Sequence, residues 1–186
     1  MDINADLGEG GGNDERIMPL ITSCNIACGG HYGDEDSIRK SVRLAKKNRL
    51  KIGAHWSFPD RKNFGRKVLD LSPEKLTAVL SEQLRLFRKV CEQEEVNLHH
   101  IKAHGALYNQ GSNDPNCVEA MIRLLKELPA STYVFLQENN LLHQKVKGIL
   151  PIKREAFIDR RYADTYTLLN REHTAALITE PEAAWR

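Results

Sequence analysis

The chain has 186 residues, a length that suits one domain around one hydrophobic core. Hydrophobic residues make up 41% and charged residues 28%, and the formal net charge of +2 excludes charge-driven binding to nucleic acid or an anionic membrane surface. No apolar run approaches a membrane span, and Met1-Asp2-Ile3-Asn4 lacks the basic and apolar regions of a signal peptide, so a cytoplasmic location is expected.

Strand and helix signals alternate along the chain. The first predicted strand, Asp2–Asp6, leads into Gly8-Glu9-Gly10-Gly11-Gly12. This glycine run lacks the spacing and lysine of a phosphate loop. Glu9 also stands where a phosphate would need backbone donors and no repulsion, which argues against nucleotide binding there. A second strand, Ser23–Cys28, precedes Gly29-Gly30-His31. The helix predicted over Glu35–Arg49 places Ile38, Val42 and Ala45 on one stripe. Its acids open it, and Lys46, Lys47 and Arg49 close it. After a strand at Lys51–His55, Ser72 caps and Pro73 opens a helix burying Leu76, Val79, Leu80, Leu84, Phe87 and Cys91. A strand at His99–His104 follows, then a helix from Asp114-Pro115 with Val118, Met121, Ile122 and Leu125 inward. Thr132–Gln137 reads as a strand, and Asn140–Lys147 as a helix stopped by Gly148. The last predicted strands are Glu155–Asp159 and Thr174–Ile178. Thr179-Glu180-Pro181-Glu182 opens a helix just before Arg186, so the pattern reads as a barrel cut short.

Alternating β and α elements imply a parallel sheet, either doubly wound or closed into a barrel. The polar residues favour the barrel. Asn4, Asp6, Asn25, His55, Lys102 and His104 fall at the C-terminal ends of separate strands, and Glu155 and Asp159 bracket a sixth. In a barrel those ends form one mouth, where active sites lie. Cys24, Cys28, Cys91 and Cys117 read as buried thiols, since no second Cys or His pair completes a zinc site around Cys24-x-x-x-Cys28.

The period of two along a strand puts His100, Lys102 and His104 on one face, and Asn4 with Asp6 on one face. Asp6, His31, His55, Lys102 and His104 can then converge. Such a set suits two jobs. It can hold a divalent ion that activates water, with Asp6, His55 and His104 as ligands, or it can act as metal-free general acid and base beside an oxyanion-stabilising Lys102. Residue types alone leave both open. Lys102, inside an apolar stretch, must be paired or functional, and Asp6 is the same case in carboxylate form. His31 and His55 can equally satisfy loop carbonyls. His99 is expected at the surface, and His143 and His173 in solvent. Arg160 beside Asp159 either sits in a solvated turn or clamps a substrate carboxylate.

Several ordered segments carry a family resemblance: Asn4-Ala5-Asp6-Leu7-Gly8-Glu9-Gly10, Asn25-Ile26-Ala27-Cys28-Gly29, His31 with Gly33-Asp34, Gly53-Ala54-His55, Phe58-Pro59-Asp60 with Phe64-Gly65-Arg66, and Lys102 with His104-Gly105-Ala106-Leu107-Tyr108-Asn109. The sequence resembles the LamB/YcsF family, the A subunits of 5-oxoprolinase. The resemblance implies a single irregular, TIM-like (β/α) barrel over residues 1–186, of about seven parallel strands, related to glycoside hydrolases and metal-dependent deacetylases. It implies ATP-coupled hydrolysis of the 5-oxoproline lactam to L-glutamate with partner subunits B and C. ATP is then a co-substrate handled with those partners, and homo-oligomerisation is left open.

Asp6, His31, His55, Lys102 and His104 match the family's acid, histidines and lysine, and are expected to be catalytic, with Lys102 on an oxyanion or phosphate. Asn4, Glu9, Asn25, Arg66, Tyr108, Asn109, Glu155, Asp159, Arg160, Tyr162 and Arg171 are expected to bind substrate, its carboxylate near Arg160 or Arg66. The sequence departs from the family pattern at Ala103, Gly30, Tyr32, Trp56, Ile158 and Tyr166. It also lacks the family's closing helix and strand. Two rival readings stand beside this one: a metal-dependent deacetylase or amidohydrolase for an N-acetylated sugar, and a non-catalytic subunit that presents substrate to its partners.

Overall fold

The computed structural model describes residues 1–138, 140–163, 167–171 and 173–184; Tyr166 lies outside them. Six strands form one parallel sheet in sequence order: β1 (Asn4–Leu7), β2 (Ser23–Ala27), β3 (Lys51–Trp56), β4 (His100–Ala103), β5 (Tyr133–Leu136) and β6 (Ile152–Arg154). Sequential order without a switch point excludes the doubly wound alternative and gives a half-barrel. The sheet curls until its two unpaired edges meet through side chains. Asn4 Nδ2 donates to Glu155 Oε2 at 3.1 Å, and Lys153 Nζ lies 3.5 Å from Asp2 Oδ2.

The helices are α1 (Asp14–Ile17), α2 (Glu35–Lys47), α3 (Pro73–Gln93), α4 (Gly105–Asn109), α5 (Pro115–Leu125), α6 (Leu141–Val146) and α7 (Pro181–Ala184). The start signals of α3 and α5 act as the sequence predicts: Ser72 accepts from the Lys75 amide and Asp114 from the Cys117 amide. On α2, opened by Glu35 and Asp36 as expected, Asp34 and Ser37 add a reciprocal capping box. The predicted stripes face inward: Ile38, Val42 and Ala45 of α2, Leu76, Leu80, Leu84 and Phe87 of α3, and Val118, Met121 and Leu125 of α5 are buried. All four cysteines are buried free thiols. No helix among the described residues is long and apolar enough to cross a membrane.

Two predicted strands are not formed. The sixth strand is Ile152–Arg154 rather than Glu155–Asp159, so the sheet has six strands, not seven. Its sequence Ile-Lys-Arg hides the signal, because an edge strand exposes part of both faces. The apolar pair Phe157-Ile158 mimics a strand without forming one. Phe157 packs in a loop with its ring centroid 5.6 Å from that of Tyr108, and Ile158 is exposed. Thr174–Ile178 is a turn whose Leu177 makes one isolated antiparallel bridge to Arg160. His143 is buried beneath its own helix rather than solvated, and His99 is half-buried, its ring stacked at 5.1 Å on Tyr133.

Candidate active site

The barrel interior is stacked in polar layers. In the lowest, His100 Nε2 donates to Asn25 Oδ1 at 2.7 Å, in space opened by Gly53, where a Cβ would overlap the His100 ring. That bond fixes the Asn25 amide, whose Nδ2 donates at 2.7 Å to both Asn4 Oδ1 and Asp6 Oδ1. The middle layer is an ion-pair network. Lys102 Nζ lies 3.1 Å from Asn4 Oδ1, 3.1 Å from Asp6 Oδ1 and 3.2 Å from Glu155 Oε2. An ammonium has three protons, and three acceptors take them. Burial lowers the Lys102 pKa, but Asp6 and Glu155 outweigh it and raise it to about 12. Burial likewise raises Asp6, and His55, Lys102 and Asn25 overcome it, holding the carboxylate well below its usual range. Lys102 therefore has no spare donor for an oxyanion or phosphate; it is a permanently charged post. Asp6, so strongly held as the anion, is a weak base.

The upper layer is a cluster of three imidazoles and one carboxylate: Glu9, His31, His55 and His104, with one ligand-type atom each inside 4.8 Å of the others. His55 comes from the end of β3, His104 caps α4 just past β4, and His31 follows β2. Glu9 enters from the glycine run after β1, whose bend needs glycine at position 10. There φ is +79° and the Tyr32 ring fills the space a Cβ would take. Gly65, at φ +63°, likewise lets its loop pass close to both rings, since a Cβ would lie 2.9 Å from His31 Cβ and 3.0 Å from His104 Cδ2.

Backbone carbonyls set the tautomers. His55 Nδ1 donates to Lys102 O at 3.1 Å and His104 Nε2 donates to Phe64 O at 3.0 Å. Their other nitrogens, His55 Nε2 and His104 Nδ1, face each other at 2.9 Å. Glu9 Oε1 lies 2.8 Å from His31 Nε2 and 3.2 Å from His104 Nδ1. Burial lowers the His31 pKa to about 4 and also lowers that of His104, keeping both rings neutral at pH 7. Burial would raise Glu9, yet its bonds to His104 and His31 hold it at about 2.

Above this core opens a pocket of about 440 Å³. Among the expected residues, Asp6, Lys102 and His104 form its floor, and Arg66, Tyr108, Asn109, Asp159, Arg160 and Arg171 its wall. Arg66 and Arg160 are both lowered, first by burial and next by the positive charge of Arg171, so the three guanidiniums share one region. Arg160 also donates to Leu169 O at 2.8 Å, which fixes its fork. The other expected substrate contacts lie elsewhere. Asn4, Asn25 and Glu155 sit beneath the pocket and hold Lys102. Glu9 belongs to the imidazole cluster. The Tyr162 hydroxyl accepts from the Phe157 amide at 2.9 Å and braces that loop. Of the expected ligand set of Asp6, His55 and His104, the two histidines stand in the tight group, which otherwise contains Glu9 and His31. Asp6 sits below it, 3.4 Å from His55 Nε2.

Sequence reasoning missed Gln137 and Phe157, which also line the pocket. Gln137 Nε2 is buried with no hydrogen-bond partner among the described residues, and the Tyr108 hydroxyl is directed at the Glu155 carboxylate without closing a well-formed bond. Burial, and after it the Glu155 carboxylate, push the Tyr108 hydroxyl well above its ordinary pKa, so it remains a donor. Gln137 follows directly on the apolar β5, the same polar-at-strand-end signal that marks His55 and His104.

The LamB/YcsF family model matches residues 1–186. The chain belongs to the LamB/YcsF family. Among its LamB/YcsF relatives, the A subunit of 5-oxoprolinase from Staphylococcus epidermidis is 40% identical over 190 residues, covering 99% of this chain and 75% of that one. The protein of the same name from Staphylococcus haemolyticus is 38% identical, covering 99% and 76%. The crystal structure of the lactam utilization protein from Thermus thermophilus superposes with a TM-score of 0.91 at 34% identity, covering 99% of this chain and 77% of that one. The half-barrel thus shares its TIM-like barrel fold with the Thermus thermophilus protein.

Proposed function

We propose that this pocket opens the lactam ring of 5-oxoproline, releasing L-glutamate, as part of an ATP-coupled complex with partner subunits B and C. The observation that carries the reading is a pocket with two unlike poles. Three guanidiniums at its wall match the carboxylate of the substrate. At the other pole, His104 faces the pocket floor beside two buried donors: Gln137 Nε2, which has no partner among the described residues, and the Tyr108 hydroxyl, which a substrate oxygen would draw away from Glu155. Donors aimed at a developing charge in a shielded site stabilise it strongly, and they suit the lactam oxygen as it becomes an oxyanion. His104, its Nε2 held by the Phe64 carbonyl, borders the floor where water would attack. The Asp6–Lys102 ion pair underneath stays charged, and with Glu155 it ties the floor together.

A five-membered lactam is a stabilised amide, and phosphorylating its oxygen creates a better leaving group. The partners supply that activation in this reading, because Glu9 turns the only glycine run near β1 into the imidazole cluster. An N-acetylated sugar carries no carboxylate for the arginine pole, which disfavours the deacetylase alternative.

The test is ATP-dependent glutamate release by the assembled complex. With this chain carrying Tyr108→Phe or Gln137→Leu, release should fall about 10²-fold or more at saturating substrate. Full activity in both variants would leave the chain a scaffold that only presents substrate.

A further inference from the structure

We propose that Glu9, His31, His55 and His104 form a binding site for one divalent cation of the zinc class. The arrangement is that of a ligand set rather than of a hydrogen-bonded core. The outer nitrogens of His55 and His104 are committed to backbone carbonyls at 3.1 Å and 3.0 Å. With those bonds in place a neutral ring has no second proton to share, so the 2.9 Å approach of His55 Nε2 to His104 Nδ1 and the 3.2 Å and 3.8 Å approaches of Glu9 Oε1 become hydrogen bonds only when a ring takes up a charge. A cation among them serves both nitrogens and the carboxylate without that proton.

Size, charge and ligand support agree. Four ligands at bonds of about 2.0–2.1 Å in a tetrahedron stand roughly 3.3 Å apart. Four of the six spacings, 2.8, 2.9, 3.2 and 3.8 Å, bracket that value, and the two from His31 to the other imidazoles lie within 4.8 Å. The nearby charges leave a negative balance, since the carboxylates of Glu9, Asp6 and Glu155 stand against the ammonium of Lys102 and the guanidinium of Arg66. Imidazole with one carboxylate suits zinc and its neighbours better than calcium or magnesium, which prefer oxygen. The carbonyls behind His55 and His104 are the outer contacts that orient a metal-bound histidine and fix its tautomer. His31 is the adaptable member. Its Nε2 meets Glu9, and its buried Nδ1 has no partner among the described residues. With all four positions filled by side chains the ion would be closed to water, and it would fix the floor of the pocket at His104.

The inference does not rest on the lactam reading, because binding is measured on the chain alone. Chelator-stripped protein titrated with zinc in a calorimeter should take up one ion per chain. Cobalt in its place should give the intense visible bands of a four-coordinate nitrogen and oxygen site. Glu9→Gln, a near-isosteric change, and His104→Gln should each weaken zinc binding at least about tenfold. His143→Ala, a histidine on α6 outside the cluster, should bind as the wild type does. The proposal is overturned if the stripped wild-type chain, folded by circular dichroism, shows no saturable uptake of zinc or cobalt. It is equally overturned if uptake survives both cluster substitutions unchanged.

Discussion

Lys102 shows how a residue chosen for its oddity acquires a different role from the one its chemistry suggests. A lysine within a buried strand invites a catalytic reading, and its position is indeed central. Its three protons are nevertheless satisfied by Asn4, Asp6 and Glu155, so it acts by holding β1, β4 and the segment after β6 together. Removing one partner of a buried ion network leaves the others uncompensated, which costs about 3–5 kcal/mol. Lys102→Met should lower unfolding stability by that amount in a denaturant titration. A loss under about 1 kcal/mol would mean that Asp6 and Glu155 find other partners and that Lys102 is not the tie. Tyr108 and Gln137 are the converse case. Tyr108 stood out only through the family motif and Gln137 not at all, yet Gln137 leaves a buried donor without a partner among the described residues and Tyr108 directs its hydroxyl at Glu155 beside the pocket.

At the scale of elements, the half-barrel depends on contacts that bring its edges together at both ends. Near the floor, Asp2 accepts from Thr22 and Ser23 at 2.7 and 2.6 Å and lies 3.5 Å from both Lys51 and Lys153, joining the segments that begin β1, β2, β3 and β6. Burial pushes the Asp2 pKa up, but the two hydroxyls and two lysines prevail and lower it from 3.8 to about 2. A carboxylate held lower in the folded state than in the unfolded one stabilises above its unfolded value, and that contribution disappears as pH falls through the folded value. The stability difference between wild type and Asp2→Asn should thus be constant above about pH 4 and shrink between about pH 4 and 2. A difference that does not vary over that window would remove Asp2 as an electrostatic tie.

The same scale shows what could be read from sequence. Capped, amphipathic helices such as α2, α3 and α5 were legible because their start signals and stripes are both local. The first five strands were legible as short runs of apolar and small residues set between turn and helix signals. His55, Lys102 and His104 stood out as polar groups at the ends of those strands. The sixth strand was not legible, since Ile152 alone among Lys153 and Arg154 carries no strand period. The role of Glu9 was hidden as well. It depends on a glycine-shaped loop, and loop geometry leaves no periodic trace. Gln137 shared the strand-end signal of the histidines but is a residue type rarely singled out.

Across the whole molecule, binding, polarisation and structural support lie in successive layers along one axis. The arginine pole is outermost, the Tyr108 and Gln137 donors lie deeper, the imidazole cluster borders them, and the ion-pair network with the Asn25–His100 bond forms the base. The relatives span a longer chain, with this one covering 75–77% of each. Every named group of the site nonetheless comes from this chain. The most direct measurement is a crystal structure of the chain with 5-oxoproline bound. The expected result is the substrate carboxylate on Arg66, Arg160 or Arg171 and the lactam oxygen within hydrogen-bond distance of the Tyr108 hydroxyl or Gln137 Nε2. A ligand seated with its carboxylate against Asp6, or bound outside this pocket altogether, would contradict the proposed mechanism.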